Sequence, residues 1–299
     1  MSETLIRTME LESSHLALIH TYLTPIWVVD SDKMPLVRVR SDRIFDTWDK
    51  DGDGWSDVGA PLTPSMWGEP TGDGQICVVD PRKNLLWDIS SYRWSRTGAY
   101  PVATTFDVWD LKGSGVADPP EGTRWVLRGG RGSGFSALAG MLRPEELQTG
   151  EVRHALVFSF NKIRMDVSGA HIFLPPACRS DGRAIGLQYP IMGMRLQLDP
   201  SLGEDDFDRW GLNREGRVLA RALQKYGMYL GVSGGPMKLE VQLLGPDTRR
   251  NRLEWERRFP GFYENVKRIP TRAFRVLDTG KPRVRKWDGS LKPNLAIYE

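Results

Sequence analysis

Residues 49–57, D-K-D-G-D-G-W-S-D, place Asp49, Asp51 and Asp53 at alternate positions, with Gly54 sixth and Asp57 ninth. A hard divalent cation takes six to eight oxygens, and alternate aspartates on a sharply turned backbone bring carboxylates to one point. The spacing predicts a Ca²⁺ site built from Asp49, Asp51, Asp53, the Trp55 carbonyl and Asp57. Position 12 is Ala60 where such loops carry a bidentate Glu, so the closing ligand must come from Asp46, Glu69 or Asp73. Affinity is therefore expected at the weak, extracellular end, about 10⁻⁴–10⁻³ M. A plain Asp-Gly surface turn fits the same residues, because both tolerate positive φ and Asp caps its own backbone.

A second group is in "RPEELQTGEVRHALVFSF", 143–160, where Glu146, Glu151 and His154 fall together as a helical turn runs into a strand. A histidine on a sheet face beside carboxylates is suited to general acid or base work. If the strand begins near Val152, His154 lies one pleat inside it. The alternative is that Glu146 sits on the exposed side of a short helix and His154 bonds locally. Asp80, Asp88 and Asp107 each end or interrupt an apolar strand, and a buried carboxylate needs a partner such as a substrate, a cation or an Arg. Asp107 with Glu146 or Glu151 is the candidate catalytic pair, with His154 as auxiliary acid or base. No G-x-S-x-G elbow, HExxH pair or Walker loop occurs, and the glycines of "GRGSGFS" read as a loop more readily than as a phosphate cradle.

Eleven tryptophans are many for 299 residues, and Trp87, Trp94, Trp109 and Trp125 stand beside polar strand positions. Flat rings stack on sugars and fill cores equally well, so individually they favour core and together they lean toward a glycan ligand.

The elements that must position these groups are mostly short strands: "IWVVD" 26–30, "LVRVR" 36–40, "ICVVD" 76–80, "LLWDIS" 85–90, "ATTFDVWDL" 103–111, "HALVFSF" 154–160, "MRLQLD" 194–199 and "KLEVQLL" 238–244. Period-two alternation and Gly-, Pro- and Asp-rich connectors suit antiparallel meanders or Greek keys. The expected fold is a mainly all-β antiparallel sandwich or jelly roll with a few peripheral helices. One domain over 1–299 is expected, with a C-terminal extension from about 245. Helices are expected at 213–227, with Asn213 as N-cap and Gly227 at C′, at "RPEELQTG" with Pro144 at N1, and at "PDTRRNRLEWERRF" capped by Asp247.

A formal charge of +3, with basic runs confined to "RRNRLEWERRF" and "KPRVRKW", makes nucleic acid an unlikely partner. No run of 18 apolar residues predicts a membrane span. Cys77 and Cys178 are too few for a disulfide scaffold. The N-terminus lacks the pattern of a signal peptide, while the weak calcium loop points to an extracellular or virion-associated setting.

Several blocks, "GDGQICVVDPRKNLLWDIS", "ATTFDVWDL", "SGFSALAGMLRPEELQTGEVRHALVFSF", "YPIMGMRLQLD" and "LARALQKYGMYLGVSGG", occur in this order. Over roughly residues 25–235 the chain resembles a family of mostly secreted, largely uncharacterised bacterial β-sandwich proteins found among carbohydrate-active modules. GE[IV]RHAL, MGMRxxL and KYGM are the most specific motifs. The resemblance implies a jelly-roll-like fold with a polar pocket on one sheet. Asp107, Glu146, Glu151 and His154 match the family pattern, whereas Gln75, Asp88 and Arg131 stand where it tends to have His, Glu and Asp. "PPACRSD" and "GVSGGPMK" also depart from it. Gln75, Asp88, Arg131 and Trp109 are accordingly the candidate substrate-binding residues. The expected function is cleavage of a glycosidic bond in a polysaccharide or oligosaccharide. The alternative is a non-catalytic glycan-binding or virion/surface structural protein.

Overall fold

The computed structural model describes residues 2–41, 48–115 and 129–285, so Asp46 and Trp125 lie outside the described residues. In chain order the elements begin with α1 (Ser2–Glu12), β1 (Ala17–Leu18), β2 (Ile26–Val28) and β3 (Arg40–Ser41). Next come β4 (Ile76–Asp80), β5 (Leu85–Ser90), β6 (Arg93–Trp94), β7 (Pro101–Ala103) and β8 (Thr105–Asp110). The middle of the chain forms α2 (Pro144–Thr149), β9 (Leu156–Phe160), β10 (His171–Phe173), β11 (Arg195–Leu198), α3 (Glu204–Trp210) and α4 (Arg214–Lys225). It ends with β12 (Met228–Ser233), β13 (Lys238–Leu239), α5 (Thr248–Arg258), α6 (Phe262–Val266), β14 (Phe274–Leu277) and β15 (Arg283–Arg285).

The protein is sheet-rich, 26% strand against 22% helix, but its sheets are mixed. A six-stranded sheet runs β1-β13-β9-β12-β11-β14 and a four-stranded one β2-β4-β5-β8. Three strands, β3-β7-β6, and the pair β10-β15 make two smaller sheets. The purely antiparallel expectation needs correction, because β1/β13, β9/β12, β2/β4 and β3/β7 pair in parallel. Parallel neighbours need a long crossover, and α3 and α4 lie in the chain between β9 and β12.

Two differently built regions result. In the four-stranded sheet, Ile76 and Val78 on β4, Trp87 and Ile89 on β5 and Phe106 on β8 pack with Val39, Ala60 and Ala103. This apolar cluster draws residues from the four-stranded sheet and from in and beside the three-stranded one. The alternate residues Cys77, Val79, Leu86 and Trp109 point the other way, into a second cluster with Ala137 and Cys178. Strand period two with both faces covered explains why β4 is buried throughout. The six-stranded sheet is instead covered by helices. Leu156, Phe158, Leu196, Met228 and Leu230 share one core with Met9 of α1, Phe207 of α3, Leu219 and Leu223 of α4 and Trp255 of α5.

Helix signals map well onto the structure. The Asn213 side chain accepts from the Gly216 N–H (2.9 Å) and Asp247 from that of Arg250 (2.8 Å), while Pro144 opens α2. Residues past 245 supply Trp255, Phe259, Phe262, Tyr263 and Phe274 to the main core. Several expected strands are shorter than read, two of them markedly. Of 36–40 only Arg40 joins a strand, and 238–244 pairs regularly only at Lys238–Leu239. The rest make isolated bridges, Val37 to Ala60, Val241 to Leu142 and Leu243 to Pro25, because their partners are loops.

Candidate ligand cavity

Asp88 and Asp107 are direct cross-strand neighbours on β5 and β8, both fully enclosed. Their partners come from the glycine-rich loop. Gly129 N–H donates to Asp107 Oδ2 (2.7 Å), and Gly130 N–H (3.1 Å) and Ala137 N–H (2.8 Å) donate to Asp88 Oδ2. Gln75 Nε2 reaches Asp88 Oδ1 (3.2 Å), and Trp48 Nε1 reaches Asp107 Oδ1 (3.3 Å). The amides that a phosphate would need are thus bonded to carboxylates. Glycine is required here: Gly129 has φ +77°, and a Cβ on Gly130 would overlap the Gln75 amide. Burial pushes the Asp88 carboxyl pKa up, against the pull of the Ala137 and Gly130 N–H groups, Gln75 and Arg131.

Arg131 holds the same loop from within. Its buried guanidinium donates to the carbonyls of Ser136 (3.3 Å), Ala137 (2.7 Å) and Ala139. The peptides flanking Ala137 are therefore gripped from both sides, N–H by Asp88 and carbonyl by Arg131. Arg179, also buried, donates to the Gly129 and Arg131 carbonyls at 2.7 Å each. Ser133 N–H reaches the Gly231 carbonyl (3.0 Å), at an irregularity in the pairing of β12 with β9. Loop 129–139 consequently ties the four-stranded sheet to the six-stranded one.

That fixed loop walls a cavity of about 520 Å³, within the range of small-molecule sites. Phe135, Leu138 and Met141 come from the loop and its continuation, Val157 from β9, Tyr229 from β12, and Pro176 faces them. Phe135 meets the Tyr229 ring edge-on at 6.2 Å, and the Arg195 guanidinium lies over that ring at 5.3 Å.

The charged edge of the cavity is Arg143 and His154. Glu146, at N3 of α2, binds both. Its Oε2 accepts from the Arg143 backbone N–H (2.9 Å), and its Oε1 from Arg143 Nη2 (2.5 Å) and His154 Nε2 (2.7 Å). His154 Nδ1 contacts the Ala155 carbonyl (2.9 Å). Both ring nitrogens face acceptors, an arrangement that favours the doubly protonated ring. Burial pulls the His154 pKa down, but the Glu146 and Ala155 bonds outweigh it and leave it raised. Burial likewise pushes Glu146 up, and His154 with Arg143 more than offsets it, leaving that carboxyl below its ordinary value.

The expected residues therefore separate. Glu146 and His154 meet, as expected, although β9 starts at Leu156 and His154 lies in the bend before it. The ladder begins only where Leu156 N–H reaches the Gly227 carbonyl (3.0 Å). Glu151 instead pairs with Arg153 on the surface (2.8 Å), and Asp107 does not line the cavity. Gln75, Asp88 and Arg131 do come together, as supports of the wall, while Trp109 is packed in the core behind it. Sequence reasoning missed Arg143 and Tyr229; the position of Arg143 just before Pro144 and three residues ahead of Glu146 was the available signal, that of an N-cap facing an N3 acid.

In the opening loop, one carboxylate oxygen each from Asp49, Asp51 and Asp53 lies within 4.8 Å of the others, a group that could hold a metal ion. Asp49 Oδ1 is buried without a hydrogen bond, an orphan acceptor that a cation would satisfy. The other expected ligands are differently engaged. Asp57 accepts from the Lys50 N–H (3.3 Å), outside the group, and the Trp55 carbonyl takes Arg38 Nη2 (3.4 Å). Arg38 also pairs with Asp53 (3.0 Å), supplying a cation from the chain itself. Glu69 is committed elsewhere, accepting from the N–H groups of Gly72 (3.0 Å) and Asp73 (2.9 Å).

Among the described residues, no helix is long and apolar enough to cross a membrane. No family model, curated protein or solved structure matches the chain.

Proposed function

We propose that the protein binds a saccharide, one ring of which enters the cavity and lies against Tyr229. The observation that carries this reading is the cavity itself, largely apolar and aromatic on its walls, with the Arg143 guanidinium offering donors at its edge. The apolar face of a sugar stacks on such a surface while its hydroxyls take the donors. Hydrolysis would need two carboxyl groups flanking one bond, about 5–9.5 Å apart. Glu146 is spent on two cations and Asp107 lies under the Gly129 amide, which favours binding over cleavage.

Glycosidic bond cleavage is the second reading, favoured by the 2.7 Å contact between Glu146 and His154, an acid and a base side by side at the cavity edge. Screening a panel of polysaccharides for binding, for new reducing ends and for unsaturated products separates the two. Binding without products supports the first reading; products dependent on His154 replace it with the second. A panel that neither binds nor reacts sinks both.

The same proposal includes two finer points. Asp49, Asp51 and Asp53 would hold Ca²⁺, supported by the orphan Asp49 oxygen, and this fits an extracellular or virion-associated protein. A sandwich of jelly-roll type is supported by the apolar cluster shared by residues of the four- and three-stranded sheets.

A further inference from the structure

We propose that the cavity's ligand is an acidic saccharide, whose ring carboxylate is received by the Arg143 guanidinium. This rests on the saccharide reading and goes beyond it by naming the group recognised. The charges at the cavity edge do not cancel. Among the described residues Arg143 and His154 both line it and no carboxylate does, while the one acid behind them, Glu146, is shared by both. His154 has no N–H left for a ligand, since Glu146 and the Ala155 carbonyl take both.

Arg143 is different. A guanidinium presents five N–H groups, and the Glu146 side chain takes only Nη2, which leaves Nε and Nη1 with no partner among the described residues. The side chain is 43% exposed, yet its direction is set by the bond to Glu146 and by its place at the N-cap of α2. A planar fork held in place with open donors matches a carboxylate's two oxygens, and the apolar walls weaken competition from water. Neutral hydroxyls would satisfy the donors but leave the excess positive charge uncompensated.

The test is calorimetric titration of the full chain with trigalacturonate, trimannuronate and a glucuronate-containing trisaccharide. Each is compared with its methyl ester, and cellotriose and maltotriose serve as neutral probes. At least one free acid is expected to bind tenfold or more tightly than its ester, a difference of about 1.4 kcal/mol. Arg143→Gln should abolish that preference while the melting temperature confirms folding, and Arg143→Lys, with charge but no fork, should restore part of it. Esters or neutral sugars binding as well as the acids would overturn the carboxylate assignment and leave the saccharide reading standing. A preference for acids that survives in Arg143→Gln would overturn the role of Arg143. Failure of every probe to bind would overturn the saccharide reading, and this inference with it.

Discussion

Asp88 and Asp107 face each other in complete burial, whereas Asp49, Asp51 and Asp53 converge at the surface, and the two groups resolve the same chemical problem in opposite ways. The buried pair is bonded to fixed backbone N–H groups of Gly129, Gly130 and Ala137. The surface group is partly met by Arg38 and keeps an orphan oxygen. Buried carboxylates require donors that are always present, since desolvation leaves no water to substitute. The surface group, with its other oxygens open to water, tolerates one unbonded oxygen and so can remain receptive to an ion. Glu146 lies between these cases, buried but shared by two basic side chains at the cavity edge.

The comparison breaks most visibly at Gly129. Its φ of +77° and the backbone of Gly134 against any added Cβ mean that Gly129→Ala must move the loop and leave Asp107 without its amide. A loss of roughly 3 kcal/mol or more is expected in urea denaturation. A loss below about 1 kcal/mol would show that the loop does not clamp the aspartates.

Glu146→Gln tests the intermediate case, with an expected loss of about 1–2 kcal/mol near pH 6. The raised His154 pKa contributes stability that is complete below the ordinary value of 6.5 and is lost as pH rises through the folded value. The lowered Glu146 pKa contributes stability present above 4.5 and lost as pH falls through its folded value. The gap between wild type and variant should therefore be widest between those limits and close on either side. A gap independent of pH would mean that packing, not charge, is responsible.

At the surface loop, 10 mM Ca²⁺ over a site of about 10⁻³ M should add about 1.4 kcal/mol, seen as a higher melting temperature than in EGTA. Asp51→Ala should remove the shift and change stability little without calcium. Coincident melts of wild type in calcium and in EGTA would leave the loop as a turn.

Asp88→Asn should have the smallest effect, within about 1 kcal/mol at pH 7, because the amide can still accept from Gly130 and Ala137 while Gln75 turns its oxygen toward the new N–H₂. Since burial raises the Asp88 pKa, ionised Asp88 weighs against the fold at neutral pH. That weight falls as pH drops into the ordinary carboxylate range, so any advantage of Asn should shrink in acid. A large loss in Asp88→Asn, measured by urea denaturation at pH 7, would mean that its charge is needed for more than the loop.

Sequence patterns were most informative where the physics is local. Asn213, Asp247 and Pro144 mark helix starts because capping depends on neighbours three residues away, and "ICVVD" and "LLWDIS" form strands because their apolar side chains cover two faces. The strand at 238–244 was read too long, since a strand's extent depends on its partner and here the partners are the loops at Leu142 and Pro25. Glu146 with His154 was legible from spacing across one helical turn, whereas Glu151, closer in sequence, points to Arg153.

What the sequence alone determined is the kind of group each segment carries: aspartates that alternate ahead of Gly54, a glycine-rich loop after β8, an acid at Glu146, three residues past the N-cap. Which carboxylates are buried, and what meets them, was decided by tertiary structure. Gln75, Asp88 and Arg131 are joined only when loop 129–139 folds onto β5, and Tyr229 reaches Arg143 and His154 only across the pairing of β12 with β9. The reason is physical. Caps and alternation are stabilised by bonds a few residues long, while the value of a buried charge depends on donors that arrive from far along the chain.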